Sequence, residues 1–218
     1  MPDLLLGAAS TLRLSVLAML AGLAVGPIGA ILRISGPLAV RWGLQTYIEV
    51  IRNTPFLVQL FVIYLGLPKL GLRMAPDTAA LLALAVNLGA YTIEIMRAGI
   101  LSIPQGQIEA AAALGLHRWQ IYRHVVLLPA FRAVYPALAG QFILLMLGTS
   151  VVSAIAAEEL TSAANDLQSR TFRAFEVYFV VAGLYLALTL ILRALLAGGA
   201  WAWTGRQPPR PASRWIGA

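Results

Sequence analysis

The sequence predicts an all-α membrane protein with five transmembrane helices. Of its 218 residues, 60% are hydrophobic and 11% are charged, and the mean hydropathy is +0.80. Soluble domains usually contain about 25% charged residues. Long apolar runs alternate with charged segments, and a bilayer span needs about 20 apolar residues. We therefore expect one transmembrane domain, residues 1–205, and a Pro-rich, disordered cytoplasmic tail, residues 206–218.

Uncharged stretches define the five spans in order: Leu14–Leu32, Asn53–Pro68, Thr78–Ile93, Ala133–Ala157 and Val177–Leu192. Three of them are short, so we expect them to continue into charged ends. The second extends back through Trp42–Arg52, the third forward through Glu94–Gly99, and the last past Arg193, whose long stem can reach the interface. A cleaved signal peptide is the alternative for the first run, which lacks a basic segment before it and is longer than usual for such peptides.

Arginine residues predict the orientation. The tail contains Arg206, Arg210 and Arg214 and no acidic residue, which places it in the cytoplasm. Because five spans put the termini on opposite sides, the N-terminus lies outside. Residues 33–52 and 102–128 are then cytoplasmic, and the acidic segment 158–176 is extracytoplasmic.

Several chemistries are excluded by composition. The chain has no cysteine, which excludes disulfides, thiolate metal sites and a cysteine nucleophile. His117 and His124 do not have the spacing of metal ligands, so neither a metal site nor a catalytic group is expected. The net charge of +7 fits basic loops beside an anionic leaflet better than nucleic-acid binding.

A polar, helix-forming loop, residues 102–128, separates the third and fourth spans. Ser102–Gln105 predicts a capping box, and the Ala-rich run that follows predicts a helix of about 11 residues ending at Gly115, which suits a positive φ. A second short helix is expected over His117–Leu127. The loop can dock on a protein or rest on lipid headgroups, although Glu109–Leu114 lacks the continuous apolar face of an interfacial anchor.

Two groups of polar residues in or beside the second and third spans are candidates for the translocation path or its gates. Asn53, Thr54 and Gln59 surround Pro55, which either breaks the second span along a path or simply begins a helix. Glu94 and Arg97 share one helix face and serve either the helix or an inner gate.

The fourth span carries two further candidate pairs. Thr149 and Ser150 either contact substrate or bond to their own helix backbone. Glu158 and Glu159, at its outer end, can receive a cationic substrate, contact an extracytoplasmic protein, or form a solvated helix end.

Motifs along nearly the whole chain resemble one family. Glu109-Ala110-Ala111, then Gly115, is similar to the cytoplasmic EAA loop of ABC importer permeases, especially polar amino-acid permeases of the histidine/glutamine/arginine type. Arg52–Gln59 resembles the family segment R-G-T-P-L-L-V-Q. Other similar segments are Thr11–Ser15, Gly89–Gly99, Val125 and Leu127, Glu159–Thr161, and Ser169–Glu176.

The resemblance implies a type I ABC importer permease fold and a subunit that moves amino acids into the cytoplasm through the bacterial inner membrane. It implies a second permease, identical or related, a cytoplasmic ATPase dimer and an extracytoplasmic solute-binding protein. Glu109, Ala110, Ala111 and Gly115 would couple the chain to the ATPase, which would bind ATP and magnesium. This chain has no P-loop motif, so it would not bind ATP by that route itself. The resemblance implies a transport subunit that is not an enzyme and holds no cofactor.

Two departures from the family pattern bear on function. The proline expected after Leu127 is replaced by Leu128 and stands at Pro129, so the turn into the fourth span is expected to shift. Leu147-Gly148 replaces a Lys and an Asp or Asn, which leaves another small polar solute open as cargo. An intramembrane enzyme is one alternative, but the spans contain no evident set of catalytic residues. A membrane scaffold is another, but it would not need the polar residues within the spans.

Overall fold

The computed structural model describes residues 2–204, with side chains described for residues 3–201. The tail predicted over 206–218 lies outside the described residues. Four helices are long and apolar enough to span a membrane: α1 (Pro2–Ser35), α4 (Pro76–Leu101), α6 (Arg118–Ile155) and α8 (Ala174–Thr204). The pair α2 (Leu38–Arg52) and α3 (Phe56–Leu70) forms the fifth span when taken together. The smaller helices α5 (Gln105–Ala113) and α7 (Leu160–Thr171) complete the predicted all-α class.

Helices α1 and α4 form the centre of the core. Gly22 and Gly29 let them approach closely, because a Cβ atom at either position would lie 2.6 Å from Leu88 or Ile93 of α4. The hydroxyl of Thr92 donates to the carbonyl of Gly22 at 3.0 Å, which ties the two helices in the middle of their contact. This packing fixes α4 as the axis on which the functional elements are placed.

The second predicted span is bent rather than straight. Its two halves, α2 and α3, meet at 113° because Pro55 has no N–H and the residue before a proline disfavours helical geometry. The expected extension back through Trp42–Arg52 occurs as a separate helix, because the chain breaks at Pro55, as one of the predicted alternatives has it. Helix α2 lies against α4, where Ile48 packs on Ala90 and Ile93.

Helix α6 merges two elements that the sequence separates. The short helix expected over His117–Leu127 is not a separate unit, and no shifted turn occurs at Pro129. Residues Ile121–Leu127 are π-helical and run directly into Leu128–Gly148. Pro129 cannot donate to the carbonyl of Val125, and the wider turns before it accommodate the proline within one continuous helix.

Candidate functional site

Helix α5 starts differently from the sequence prediction. It covers nine residues, begins after Pro104, and has no side-chain cap among the described residues. The predicted capping box is wrong, because the hydroxyl of Ser102 donates to the carbonyl of Gly99 at 2.7 Å. Gly115 has a φ of +76°, as expected for the residue that ends this helix.

One face of α5 is free and the other is packed. The exposed residues form a small, Ala-rich surface, here called the α5 face: Glu109, Ala110, Ala112, Ala113 and Leu114. Ala111 points the other way, is 5% exposed and belongs to the core, where α5 packs on the π-helical part of α6. Of the four residues predicted to couple, Glu109 and Ala110 are exposed, Ala111 is buried, and Gly115 follows the end of the helix.

The residues around Pro55 hold the bend between α2 and α3. The amide nitrogen of Gln59 donates to the carbonyl of Ile51 at 2.7 Å and to the carbonyl and hydroxyl oxygens of Thr54 at 3.0 Å. Its amide oxygen accepts from Asn87 of α4 at 2.9 Å, and Asn53 bonds back to Glu49. Gln59 is buried, so it acts here as a clamp between three segments.

Glu94 and Arg97 pair on α4, as predicted. The carboxylate accepts two hydrogen bonds from the guanidinium, at 2.5 and 2.9 Å, and the side chains are 25% and 29% exposed. Arg52 lies 5.5 Å from the centre of the Tyr91 ring one turn earlier on α4. The pair therefore lies in a basic environment near the end of α4 that leads to α5.

Thr149 and Ser150 bond to their own helix. The Thr149 hydroxyl donates to the carbonyl of Met146 at 2.7 Å, and that of Ser150 to the carbonyl of Leu147 at 2.8 Å. Both lie where α6 tightens into the 3-10 turns Thr149–Ile155. These bonds satisfy the two hydroxyl donors locally, and Thr149 is fully buried.

Glu158 and Glu159 have different environments. Glu159 is 1% exposed and caps α7, accepting from the backbone N–H groups of Thr161 and Ser162 at 2.8 and 2.6 Å and from the Tyr185 hydroxyl at 2.7 Å. Burial raises the pKa of the Glu159 carboxyl, and the donated hydrogen bonds oppose that rise. Glu158 is exposed, so only Glu158 fits the predicted solvated end.

A cleft of about 300 Å³ lies between the first turns of α1 and one side of α7. Its lining includes Arg170 and four acidic residues, Asp3, Glu158, Glu159 and Asp166, and the excess of acidic groups favours cationic ligands. Among the described residues, no cluster of three or more His, Asp or Glu side chains has the geometry to hold a metal ion. Sequence patterns do not identify Tyr185 as a partner of Glu159, or Asn87 as a partner of Gln59, because these contacts join distant segments.

A comparison with known families decides the class of protein. The family described as binding-protein-dependent transport system inner membrane component matches residues 22–198. The chain belongs to this family. It is a multi-pass component of the inner membrane in an ABC importer that works with an ATPase and a binding protein.

Curated relatives of this transport family cover most of the chain. The glutamine transport system permease protein of Escherichia coli strain K12 is 40% identical over 89% of this chain and 90% of its own length. The nopaline transport system permease protein of Agrobacterium fabrum is 36% identical over 92% and 87%. These relatives are permease subunits, which confirms that the chain is a transport subunit and not an enzyme.

Solved structures agree with this family assignment. A crystal structure of an amino acid ABC transporter with histidines has a TM-score of 0.84 and 38% identity, over 92% of this chain and 94% of that one. An inward-facing methionine ABC transporter has a TM-score of 0.78 at 22% identity, over 93% and 96%, and shows the shared fold. The type I ABC importer permease fold is thereby confirmed.

Proposed function

We propose that the chain is the permease subunit of an importer that moves amino acids into the cytoplasm, driven by ATP hydrolysis on separate subunits. The observation that carries this proposal is the 38% identity and TM-score of 0.84 with an amino-acid ABC transporter over nearly the whole chain. The 40% identity to a glutamine permease supports the same substrate class. The full assembly contains a second permease, a dimeric ATPase that binds ATP and magnesium, and an extracytoplasmic solute-binding protein.

The α5 face is the surface that docks on the ATPase. Its small side chains permit close approach, Glu109 supplies a charge, and Gly115 ends the helix so that α6 can return to the membrane. Ala111 packs α5 against α6 on its buried side, so that α5 is held in place on α6. Two contacts stabilise the candidate path. The Gln59 amide connects α2, the bend and α4, and Glu94 forms an ion pair with Arg97.

A second candidate cargo is another small polar solute. Leu147 and Gly148 stand where polar side chains are expected, and the hydroxyls of the next two residues donate to their own helix. Residues 147–150 of α6 therefore have no charged side chain that could pair with the ammonium or carboxylate group of an amino acid. Uptake assays with labelled L-glutamine, L-histidine and L-arginine separate the two cargoes.

Enlarging the α5 face tests docking. Ala110→Leu and Glu109→Lys alter exposed groups and leave the core untouched, so the permease should fold normally. We expect ATPase stimulation by the loaded binding protein to fall by about tenfold or more, which corresponds to about 1.4 kcal/mol of lost interaction. The ATPase rate of the reconstituted complex is the measurement.

The matched control for docking is Gly43→Ala on α2, where no described atom lies within 4 Å of the added Cβ. It should behave as the wild type. Coupled, stimulated ATPase in the Ala110→Leu and Glu109→Lys complexes would contradict the assignment of the α5 face.

The proposed orientation places the N-terminus outside and the C-terminus in the cytoplasm. Because the chain has no cysteine, single substitutions report topology without a background. Arg73→Cys, in the exposed loop before α4, should react with a membrane-impermeant maleimide in intact spheroplasts. Leu114→Cys, which is 82% exposed on the α5 face, should react only after the membrane is opened. The reverse pattern would invert the topology.

A further inference from the structure

The start of α7 is held by three other helices through three consecutive residues. The N–H of Glu158 donates to Oδ1 of Asp77 on α4 at 2.9 Å. The Glu159 carboxylate accepts from Tyr185 on α8, and the N–H of Leu160 donates to the Thr11 hydroxyl on α1 at 3.1 Å. These bonds, and not the sequence of α7 alone, fix where this helix begins.

Of these three helices, α4 is the one that leads into α5. It runs from Pro76 to Leu101 as one helix, about 39 Å long at 1.5 Å per residue, and Ser102–Pro104 lead directly into α5. Asp77 therefore lies at one end of α4 and α5 at the other. The helix is among the most buried of the spans, and a close-packed helix moves as a unit because packed interiors compress little.

Asp77 is itself oriented from α1. Its second carboxylate oxygen, Oδ2, accepts from the Arg13 guanidinium at 3.2 Å. The Arg13 side chain is 59% exposed, and exposed ion pairs add little stability. The effect of this pair is to aim the carboxylate, while the bond to Glu158 joins α4 to α7.

We propose that Asp77 is a positioning residue that transmits movement between α7 and the α5 face, so that a binding protein engaging the α7 end influences the ATPase. The proposal rests on the function proposed above, with α5 docked on the ATPase. Two distinct sites are joined by one rigid element, α4, and Asp77 is the contact at its far end. Thr11 holds the same segment from α1, which continues into α2 instead of α5, and so serves the structure alone.

The test uses the complete reconstituted transporter with its own binding protein, saturated with a mixture of L-glutamine, L-histidine and L-arginine. The quantity measured is the ratio of stimulated to basal ATPase. Asp77→Ala should leave basal ATPase near the wild-type rate and lower this ratio by about fivefold or more, the low end of allosteric couplings. Asp77→Asn should keep the ratio, because its amide oxygen still accepts from the Glu158 N–H.

Two controls separate transmission from simple packing. Arg13→Gln removes the ion pair and should keep the ratio. Thr11→Val removes the hydrogen bond from the N–H of Leu160. It should lower thermal stability, while the ratio of stimulated to basal ATPase stays near the wild type. If Asp77→Ala does not assemble, Asp77→Ser replaces it, since its hydroxyl is too short to make the bond.

A normal ratio in Asp77→Ala or Asp77→Ser would overturn the proposal, as would an equal loss in Thr11→Val. Equal losses in Asp77→Asn and Arg13→Gln would assign the effect to the ion pair instead of the Glu158 bond and would also overturn it. The wild-type complex tests the proposed function separately from the role of Asp77. If it shows no stimulation by the loaded binding protein, the proposed function itself fails.

Discussion

Gly7 determines how closely α1 and α7 approach. A Cβ atom at this position would lie 2.9 Å from Cα of Leu160, 3.0 Å from Cβ of Ala163 and 3.1 Å from the carbonyl oxygen of Glu159. Two of these three atoms belong to the backbone and cannot move aside without shifting α7. The side of the cleft formed by these helices therefore depends on the absence of a side chain at residue 7.

We expect Gly7→Ala to lower the free energy of unfolding by about 1–3 kcal/mol, the usual cost of overpacking. Gly183→Ala on α8 is the matched control, because no described atom lies within 4 Å of its added Cβ, and helical Ala is favoured over Gly by about 0.5–1 kcal/mol. Thermal unfolding of the purified protein in detergent measures both. Equal midpoints for the two variants would show that α1 and α7 do not pack at Gly7.

For individual residues, local hydrogen bonds could be predicted from the sequence, but partners from distant segments could not. The polarity of Glu158 and Glu159 is visible in the sequence, but their separation into an exposed and a buried carboxylate depends on Tyr185, 26 positions from Glu159. The same holds for Asp77, whose partner Glu158 is 81 positions away. The hydroxyl bonds of Thr149 and Ser150 are local, and local chemistry anticipated them as one of two alternatives.

Among the elements, the bend between α2 and α3 has the most specific support. Gln59 contacts the end of α2, the bend itself and α4, so its amide connects three segments. A side chain of similar size without polar groups would keep the packing and lose the bonds. The partly buried carbonyl of Ile51 and amide of Asn87 would then lack these partners.

We therefore expect Gln59→Leu to destabilise the protein by about 1–3 kcal/mol, the cost of leaving a buried polar group unsatisfied. Asn53→Ala removes only exposed bonds to Glu49 and should change stability by about 0.5 kcal/mol or less. Chemical unfolding in detergent compares the two. Similar stabilities for both variants would mean that Gln59 does not hold the bend.

Local signals predicted the elements only in part. Gly115 and the Ala-rich run located α5, and Pro55 marked the break in the second span. The same signals failed at Ser102, which bonds backward into α4, and at Pro129, which lies within a continuous helix. A serine or proline has more than one favourable use, and the neighbouring turn decides between them.

At the scale of the molecule, hydropathy predicted five spans and the motif order predicted the transport family. Neither signal could place α7, because a polar helix of 12 residues is set by its contacts with α1, α4 and α8. The described residues therefore form one packed unit with a different surface at each end. One end carries the α5 face, and the other carries α7 and the acidic cleft.

The most direct test of this account is uptake of labelled amino acids into proteoliposomes that contain the chain, its ATPase and its binding protein. We predict that L-glutamine, L-histidine or L-arginine accumulates only with ATP and magnesium on the α5 side, and that Ala110→Leu abolishes this accumulation. Uptake that proceeds without ATP, or that Ala110→Leu leaves unchanged, would contradict the central claim.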